Sequence, residues 1–220
     1  MAQSILTPDQ QKLLTLIAAQ ESMCRSFYLG GGTALAEFYL HHRLSEDLDF
    51  FSEEEPDVEG ISTMFKKISE AAGIQNIEYQ QSFNRNLFLL TLKSSEVKTE
   101  FTYYPFTRIE KGMRVEKLAV DSLLDIAVNK VFTIYQKPRS RDFIDLFCIL
   151  QRETSWTLPD LILKAQAKFD HHIDPLQMSA QCVKSETLKD YPVMKIALRE
   201  DEWIGFFLNQ AKVLAKSQLE

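Results

Sequence analysis

Gly30-Gly31-Gly32-Thr33-Ala34-Leu35 and, one helix-length later, Arg43-Leu44-Ser45-Glu46-Asp47-Leu48-Asp49-Phe50-Phe51 form the stretch that decides the fold. Phe27-Tyr28-Leu29 before it reads as a short strand, the glycines as a turn, and Ala34 to His42 as a helix, because Leu35, Phe38 and Tyr39 recur at helical spacing. Leu44 to Phe51 alternates, with Leu48 and Phe50 on one side and Asp47 and Asp49 on the other, as a half-buried strand does. Carboxylates at i and i+2 on a strand project from one face, which lets them share divalent cations, and hard oxygen ligands suit magnesium. Glycines let backbone N–H groups come close to a triphosphate, and a following helix turns its positive end to the same phosphates. A glycine triplet alone is more often only a turn, and an Asp-x-Asp strand more often a solvated sheet face. Their order and one-helix separation make the combination specific.

Working outward, Ser52 to Val58 is an acidic turn, Ile61 to Ala72 a helix stopped by Gly73, and Ile77 to Gln81, Leu87 to Leu92 and Val97 to Tyr104 three further strands of an antiparallel or mixed sheet. From Asp121 the pattern becomes helical: Leu123 to Gln136, Arg141 to Gln151, Leu158 to Phe169 and Asp201 to Ala215, punctuated by Pro138, Pro159, Pro175 and Pro192. The fold class is α+β, with a sheet-bearing core over residues 1–115 and a helical region over 116–220 that completes a cleft. The change of pattern falls within Gly112 to Val120.

With 45% hydrophobic and 25% charged residues in 220, the chain has the composition of a globular protein. No segment approaches the ~20 apolar residues of a membrane span. Met1 to Gln20 has helical spacing of Leu13, Leu14, Ile17 and Ala18 and no secretion signal pattern, so a cytoplasmic location is expected. Cys24, Cys148 and Cys182 lie far apart and read as small buried hydrophobes. The net charge of −6 disfavours nucleic acid on average, although an acidic total can hold a local basic patch. The adjacent pairs His41-His42 and His171-His172 lack helical zinc-ligand spacing and read as surface or capping residues, while Phe50, Phe51 and the stripe Tyr103, Tyr104, Phe106 read as core.

Gly30 to Leu35, the pattern Arg43-x-Ser45-x-Asp47-x-Asp49-Phe50, and the later Lys130 followed by Arg141-Asp142-x-x-Asp145-Leu146 together resemble the AbiEii/AbiGii-type toxin nucleotidyltransferases of the DNA polymerase β-like superfamily. The resemblance runs from about Phe27 to Leu150, with a looser echo near Pro192 to Phe207. It implies a nucleotidyltransferase core with a helical C-terminal part. It also implies Asp47 and Asp49 as metal ligands, and Gly31, Gly32, Thr33 and Ser45 as residues at the nucleotide.

A third carboxylate from a neighbouring strand usually completes such a site, and Glu100 is the candidate, sharing a face with Lys98 and Thr102. An exposed sheet acid is the competing reading, and the superfamily more often has Asp there. Lys130 sits on the flank of the apolar face Leu124, Ala127, Val128, Val131, Tyr135, and the resemblance makes it a phosphate contact. Lys137, Arg139 and Arg141 form a basic loop that either grips phosphate or is merely solvated, with Ser140 as the N-cap of the next helix and Asp142 complementing its dipole. Asp145 lies on a helix apolar almost all round, so its charge must be paired, with Arg141 or Lys130 as partner. Lys130 and Asp145 are expected on the helical side of the cleft, and Asp47 and Asp49 beside the glycine turn.

The expected activity is magnesium-dependent transfer of a nucleotide from a nucleoside triphosphate, ATP or GTP, to an acceptor. By resemblance the acceptor is RNA, such as a tRNA end, or protein, and the enzyme is the toxin of a toxin–antitoxin or phage-defence pair with an antitoxin protein as partner. Two other classes compete. A nucleotide-binding or interaction module without turnover is opposed by the intact Asp-x-Asp, and a small-molecule nucleotidyltransferase of the antibiotic-modifying kind is favoured slightly by the acidic charge.

Overall fold

The computed structural model describes residues 4–216, and these fall into two compact units, one through Ser122 and one from Leu123. The first unit contains α1 (Pro8–Ala18), α2 (Glu21–Ser26), β1 (Tyr28–Leu29), α3 (Gly31–Leu35) continued by a π-helical turn (Ala36–Leu40), β2 (Leu48–Ser52), α4 (Val58–Ala72), β3 (Ile74–Ser82), β4 (Arg85–Leu92), β5 (Glu96–Tyr103), β6 (Arg114–Val115) and β7 (Leu118–Val120). The strands make one mixed sheet in the order β3-β4-β5-β2-β1-β7-β6. β2 runs parallel to β5 and β1 parallel to β7, whereas β1–β2, β3–β4, β4–β5 and β6–β7 are antiparallel. Alternation along β2 separates the two faces. Leu48 and Phe50 are fully buried, and the ring of Phe50 stacks on Phe101 at 4.9 Å, which also meets Phe27, Phe65 of α4 and Phe88. Asp57 caps α4 through Gly60 N–H at 2.9 Å, and Gly73 ends it at φ +80°, where the missing Cβ removes the left-handed penalty.

The second unit is helical: α5 (Leu123–Gln136), α6 (Ser140–Arg152), α7 (Leu158–Phe169), α8 (Pro175–Val183), a 3-10 turn (Lys184–Glu186) and α9 (Glu200–Lys216). Phe143 of α6 packs edge-on against Phe207 of α9 at 4.8 Å and beside Trp203. The unpredicted α8 begins with Asp174 accepting Gln177 N–H at 2.7 Å and Pro175 in its first turn, a start signal that resembles a break when only the proline is counted. Ser140 is not a cap. Arg139 holds the N-cap position, and the Ser140 N–H and hydroxyl both donate to Asp190, whose carboxyl burial pushes up but these bonds, with the charge of Arg139, hold below its usual range. No helix among the described residues is long and apolar enough to cross a membrane.

Of the three cysteines expected to be buried hydrophobes, only Cys182 is fully buried. Burial pushes the Cys182 thiol up to about 12, whereas Cys24 and Cys148 are only half-buried. His41 ends the π turn at φ +50°, a capping role, but His42 is buried, against the surface alternative.

One polar contact in this apolar bundle joins α7 to α5. Lys168 Nζ lies 2.7 Å from Asp125 Oδ1, with side chains 1% and 0% exposed. A single buried charge left behind is far more costly than a removed pair. Lys168→Met should therefore lower unfolding free energy by about 3–5 kcal/mol in urea titration, and Asp125→Leu combined with Lys168→Met should recover most of it. Equal loss in the single and double variants would show that the pair is not what holds these helices.

Candidate active site

Each glycine of the turn gives room to a different side chain. A Cβ on Gly31 would stand 2.5 Å from Asp49 Oδ2, and Gly31 has φ +66°. A Cβ on Gly32 would collide with the Arg43 guanidinium and stand 3.2 Å from Ser45 Oγ, and one on Gly30 would lie 2.8 Å from the Phe51 ring and 3.6 Å from Asp121 Oδ2. The turn is also tied down by its backbone. Gly30 N–H donates to Asp49 O at 2.9 Å and Asp121 N–H to Leu29 O at 2.8 Å, while the buried Thr33 hydroxyl donates to the carbonyl of Asp47. Thr33 thus fastens the helix to the residue that precedes the strand, and its hydroxyl is engaged within the fold. From α1, Gln10 Nε2 donates to Ser45 O at 3.1 Å and Glu46 O at 2.8 Å, fixing the approach to β2.

The strand begins at Leu48, so Asp47 immediately precedes it and Asp49 is its second residue. In the parallel ladder Asp49 is level with Glu100. Lys98 Nζ is 3.0 Å from Asp47 Oδ2 and 3.9 Å from Glu100 Oε2, which places the three carboxylate-bearing positions on the same side of the sheet as Lys98. Arg85, at the start of β4, donates from Nε and Nη2 to the two oxygens of Glu100 at 2.5 Å each, and Thr102 Oγ1 donates to Oε1 at 2.9 Å. Burial pushes the Glu100 carboxyl up, but these hydrogen bonds and the charges of Arg85 and Lys98 outweigh it and hold the group below its usual range. Hydrogen bonding to Glu100 likewise holds Arg85 in its charged form, against burial and with help from the charges of Asp49 and Asp47. Phe51 also lies on this side, half-buried, and not in the core with Phe50; its ring meets Tyr28 at 5.8 Å and Tyr104 at 5.4 Å.

Among the described residues no group of three or more His, Cys, Asp or Glu side chains forms a metal cage. Magnesium does not need one. It keeps several waters and is commonly held by one or two carboxylates together with substrate phosphates. Asp47, whose side chain is 30% exposed, and Asp49, against a turn with no side chains, fit that mode.

In the helical unit Lys130 Nζ lies 2.7 Å from Asp145 Oδ2 and 2.8 Å from Asp142 Oδ1, with the two carboxylates 0% and 1% exposed. Lys130 is thus the ion partner that Asp145 needs. Asp142 does more than complement a helix dipole: it accepts Arg139 N–H at 3.1 Å and joins the Lys130 pair. Arg141 is half-exposed on the first turn of α6.

The sequence places Arg43 in the motif and Lys98 on the face of Glu100 without giving either a role at the acidic site, and it gives no sign of Arg85 there. Arg85 fell outside the expected strand Leu87 to Leu92 because β4 starts two residues earlier, after a two-residue hairpin turn. The buried Arg43, 3% exposed, had a usable signal in its place four residues before Asp47, but sequence alone does not show that Gly32 makes space for it.

Comparison with known proteins supplies the relatives. An Aquifex aeolicus (strain VF5) protein described as uncharacterized, aq_aa25, is 32% identical over 168 residues, covering 74% of this chain and 76% of that one. Two Helicobacter pylori crystal structures share the fold at 16% identity. One is of a candidate nucleotidyltransferase, with a TM-score of 0.62 covering 98% of this chain and 99% of the other. The second is JHP933, with a TM-score of 0.61 covering 95% and 91%. The profile of the family described as "Nucleotidyl transferase AbiEii toxin, Type IV TA system" matches residues 13–209. The glycine turn, the acidic strand and the helical unit as far as the middle of α9 fall within that match, and the chain belongs to the AbiEii family of nucleotidyltransferases.

Proposed function

We propose that the protein is a magnesium-dependent toxin of a type IV toxin–antitoxin pair that moves a nucleotide from ATP or GTP onto an RNA end, such as that of a tRNA, or onto a protein in the cytoplasm. The observation that carries this reading is the contact of the Asp49 carboxylate with Gly31, which brings an acidic pair and a side-chain-free turn to one spot. The acceptor hydroxyl attacks the α-phosphorus and releases its proton to solvent, a new O–P bond forms as the bond from the α-phosphorus to the oxygen bridging to the β-phosphorus breaks, and pyrophosphate leaves. Asp47 and Asp49 would hold the metal, which would supply charge neutralisation at the phosphates and a lowered proton affinity at the acceptor hydroxyl. Gly31 and Gly32 let the backbone lie against the triphosphate, and Ser45 stands beside Gly32. Lys98 balances the charge of Asp47 until a ligand arrives. Glu100 is the third carboxylate of this face, and its use as a ligand requires Arg85 to turn aside. Lys130 and Arg141 are assigned to phosphate, with Lys130 sharing its ammonium between Asp142 and Asp145.

Labelled ATP and GTP offered with total cellular RNA and protein test the reading. Asp49→Asn should lose transfer by about a hundredfold or more at unchanged thermal midpoint, since metal stabilisation of a transition state amounts to several kcal/mol and ~1.4 kcal/mol is tenfold. Substitution of Glu46, exposed and outside the pair, should leave transfer intact. An Asp49→Asn enzyme of near wild-type rate would reject the assignment, as would growth arrest on expression that persists in that variant.

Gly31→Ala tests the geometry itself. The added methyl group meets Asp49 and stands at a left-handed backbone angle, so transfer should fall at least tenfold and stability by about 1–2 kcal/mol. Gly205→Ala is the control, because nothing lies within 4 Å of a Cβ there and α9 should gain about 0.5–1 kcal/mol. Full activity in Gly31→Ala would show that the close approach is dispensable.

A further inference from the structure

The β3–β4 hairpin closes through a two-residue turn, Phe83-Asn84, between the paired Ser82 and Arg85. Phe83 is 97% exposed and has φ +52°. Neither property favours phenylalanine. A ring in water gains nothing from burial, and a bulky L residue at positive φ is strained where glycine or asparagine is not. Strain of this sort, retained where glycine would relieve it, marks a side chain presented to something outside the fold. The turn is held firmly: Tyr103 N–H donates to Asn84 O and Asn84 Nδ2 donates to Tyr103 O, each at 2.8 Å.

The surroundings indicate what is presented to what. The chain has 31 acidic residues and a net charge of −6, yet residues 79–95 contain no Asp or Glu and are bracketed by Glu78 and Glu96. In the chain Phe83 is flanked by Gln80, Gln81, Ser82 and Asn84, which carry amide groups and a hydroxyl, and by Arg85, whose guanidinium pairs with Glu100 while its side chain stays half-exposed. An aromatic face among such donors and acceptors suits a nucleobase, which stacks on the ring and hydrogen-bonds at its edges while a cation meets phosphate. A protein partner would more often find further apolar residues at the centre of the patch. Place also matters, because Arg85 itself grips Glu100, the residue level with Asp49. Two strand spacings of about 4.8 Å and four residues of about 3.3 Å put Phe83 roughly 16 Å from Asp49.

We propose that Phe83 is a stacking platform for an unpaired nucleobase, belonging either to a free nucleotide or to a single strand of nucleic acid brought to the acidic face. The proposal deepens the nucleotidyl-transfer reading and rests on it for context. Its test is equilibrium binding by the full chain, at one fixed salt concentration, of a short fluorescein-labelled single-stranded oligoribonucleotide and, separately, of ATP and GTP with magnesium. Phe83→Gly removes the ring and the strain together and should leave the thermal midpoint no lower, while Phe83→Trp keeps a π-face. Loss of a stacked base should weaken binding about tenfold in Phe83→Gly and leave it near wild type in Phe83→Trp. A loss confined to the oligonucleotide identifies the strand as the source of the base, and a loss confined to the triphosphates identifies the free nucleotide. Wild-type affinity of Phe83→Gly for both probes overturns the proposal, and leaves nucleotidyl transfer standing if Asp49→Asn still abolishes it. Phe83-dependent strand binding by a wild-type protein that transfers no nucleotide sinks the transferase reading alone.

Discussion

The approach of the Asp49 carboxylate to Gly31 is the constraint around which the sheet unit is arranged. It requires a residue without a Cβ at a left-handed backbone angle, and it requires β1 and β2 to be antiparallel neighbours so that the turn leaving β1 lies over the strand that carries the acid. The bonds from Gly30 to Asp49 and from Thr33 to Asp47 then fix the turn against the start of β2 at two heights. Gln10 does the same from α1 for the loop before it. Together these bonds leave the glycine turn and the approach to β2 little freedom to move apart.

The second organising force is like-charge repulsion. Asp47, Asp49 and Glu100 on one side of the sheet would destabilise one another without cations, and Lys98 and Arg85 come from β5 and β4 to meet them. The helical unit repeats the solution in a drier setting, where one lysine serves Asp142 and Asp145. Exposed pairs of this kind contribute little to stability, but a buried acid without its partner is heavily penalised. The cations therefore matter most as conditions for having the acids there.

The sequence made local pattern readable and side-chain company much less so. α5 and α7 have the bounds that periodicity predicts, and Glu96–Tyr103 lies within one residue of them, because burial of one face imposes a period that survives in composition. The strand of the acidic pair was extended four residues too far at its start, since Leu44-Ser45-Glu46 alternates in polarity while its backbone is held by Gln10 rather than by a neighbouring strand. That Asp145 requires a partner followed from an apolar helix, and Lys130 was one of two residues named for it. That Glu100 is gripped by Arg85 depended on a hairpin register that two-residue turns with phenylalanine do not announce.

The sheet order carries a consequence for synthesis. β1, which delivers the glycine turn, is flanked by β2 on one side and by β7 on the other, with Tyr28 level with Ala119. β2 in turn leans on β5, where Asp49 meets a residue made some fifty positions later. Such contacts between distant parts of the chain form slowly and late. A nascent polypeptide therefore contains its glycines and its aspartates well before the ribosome has produced the strands that bring them into register. Chain growth itself thus delays the assembly of the acidic face until β5 has been made.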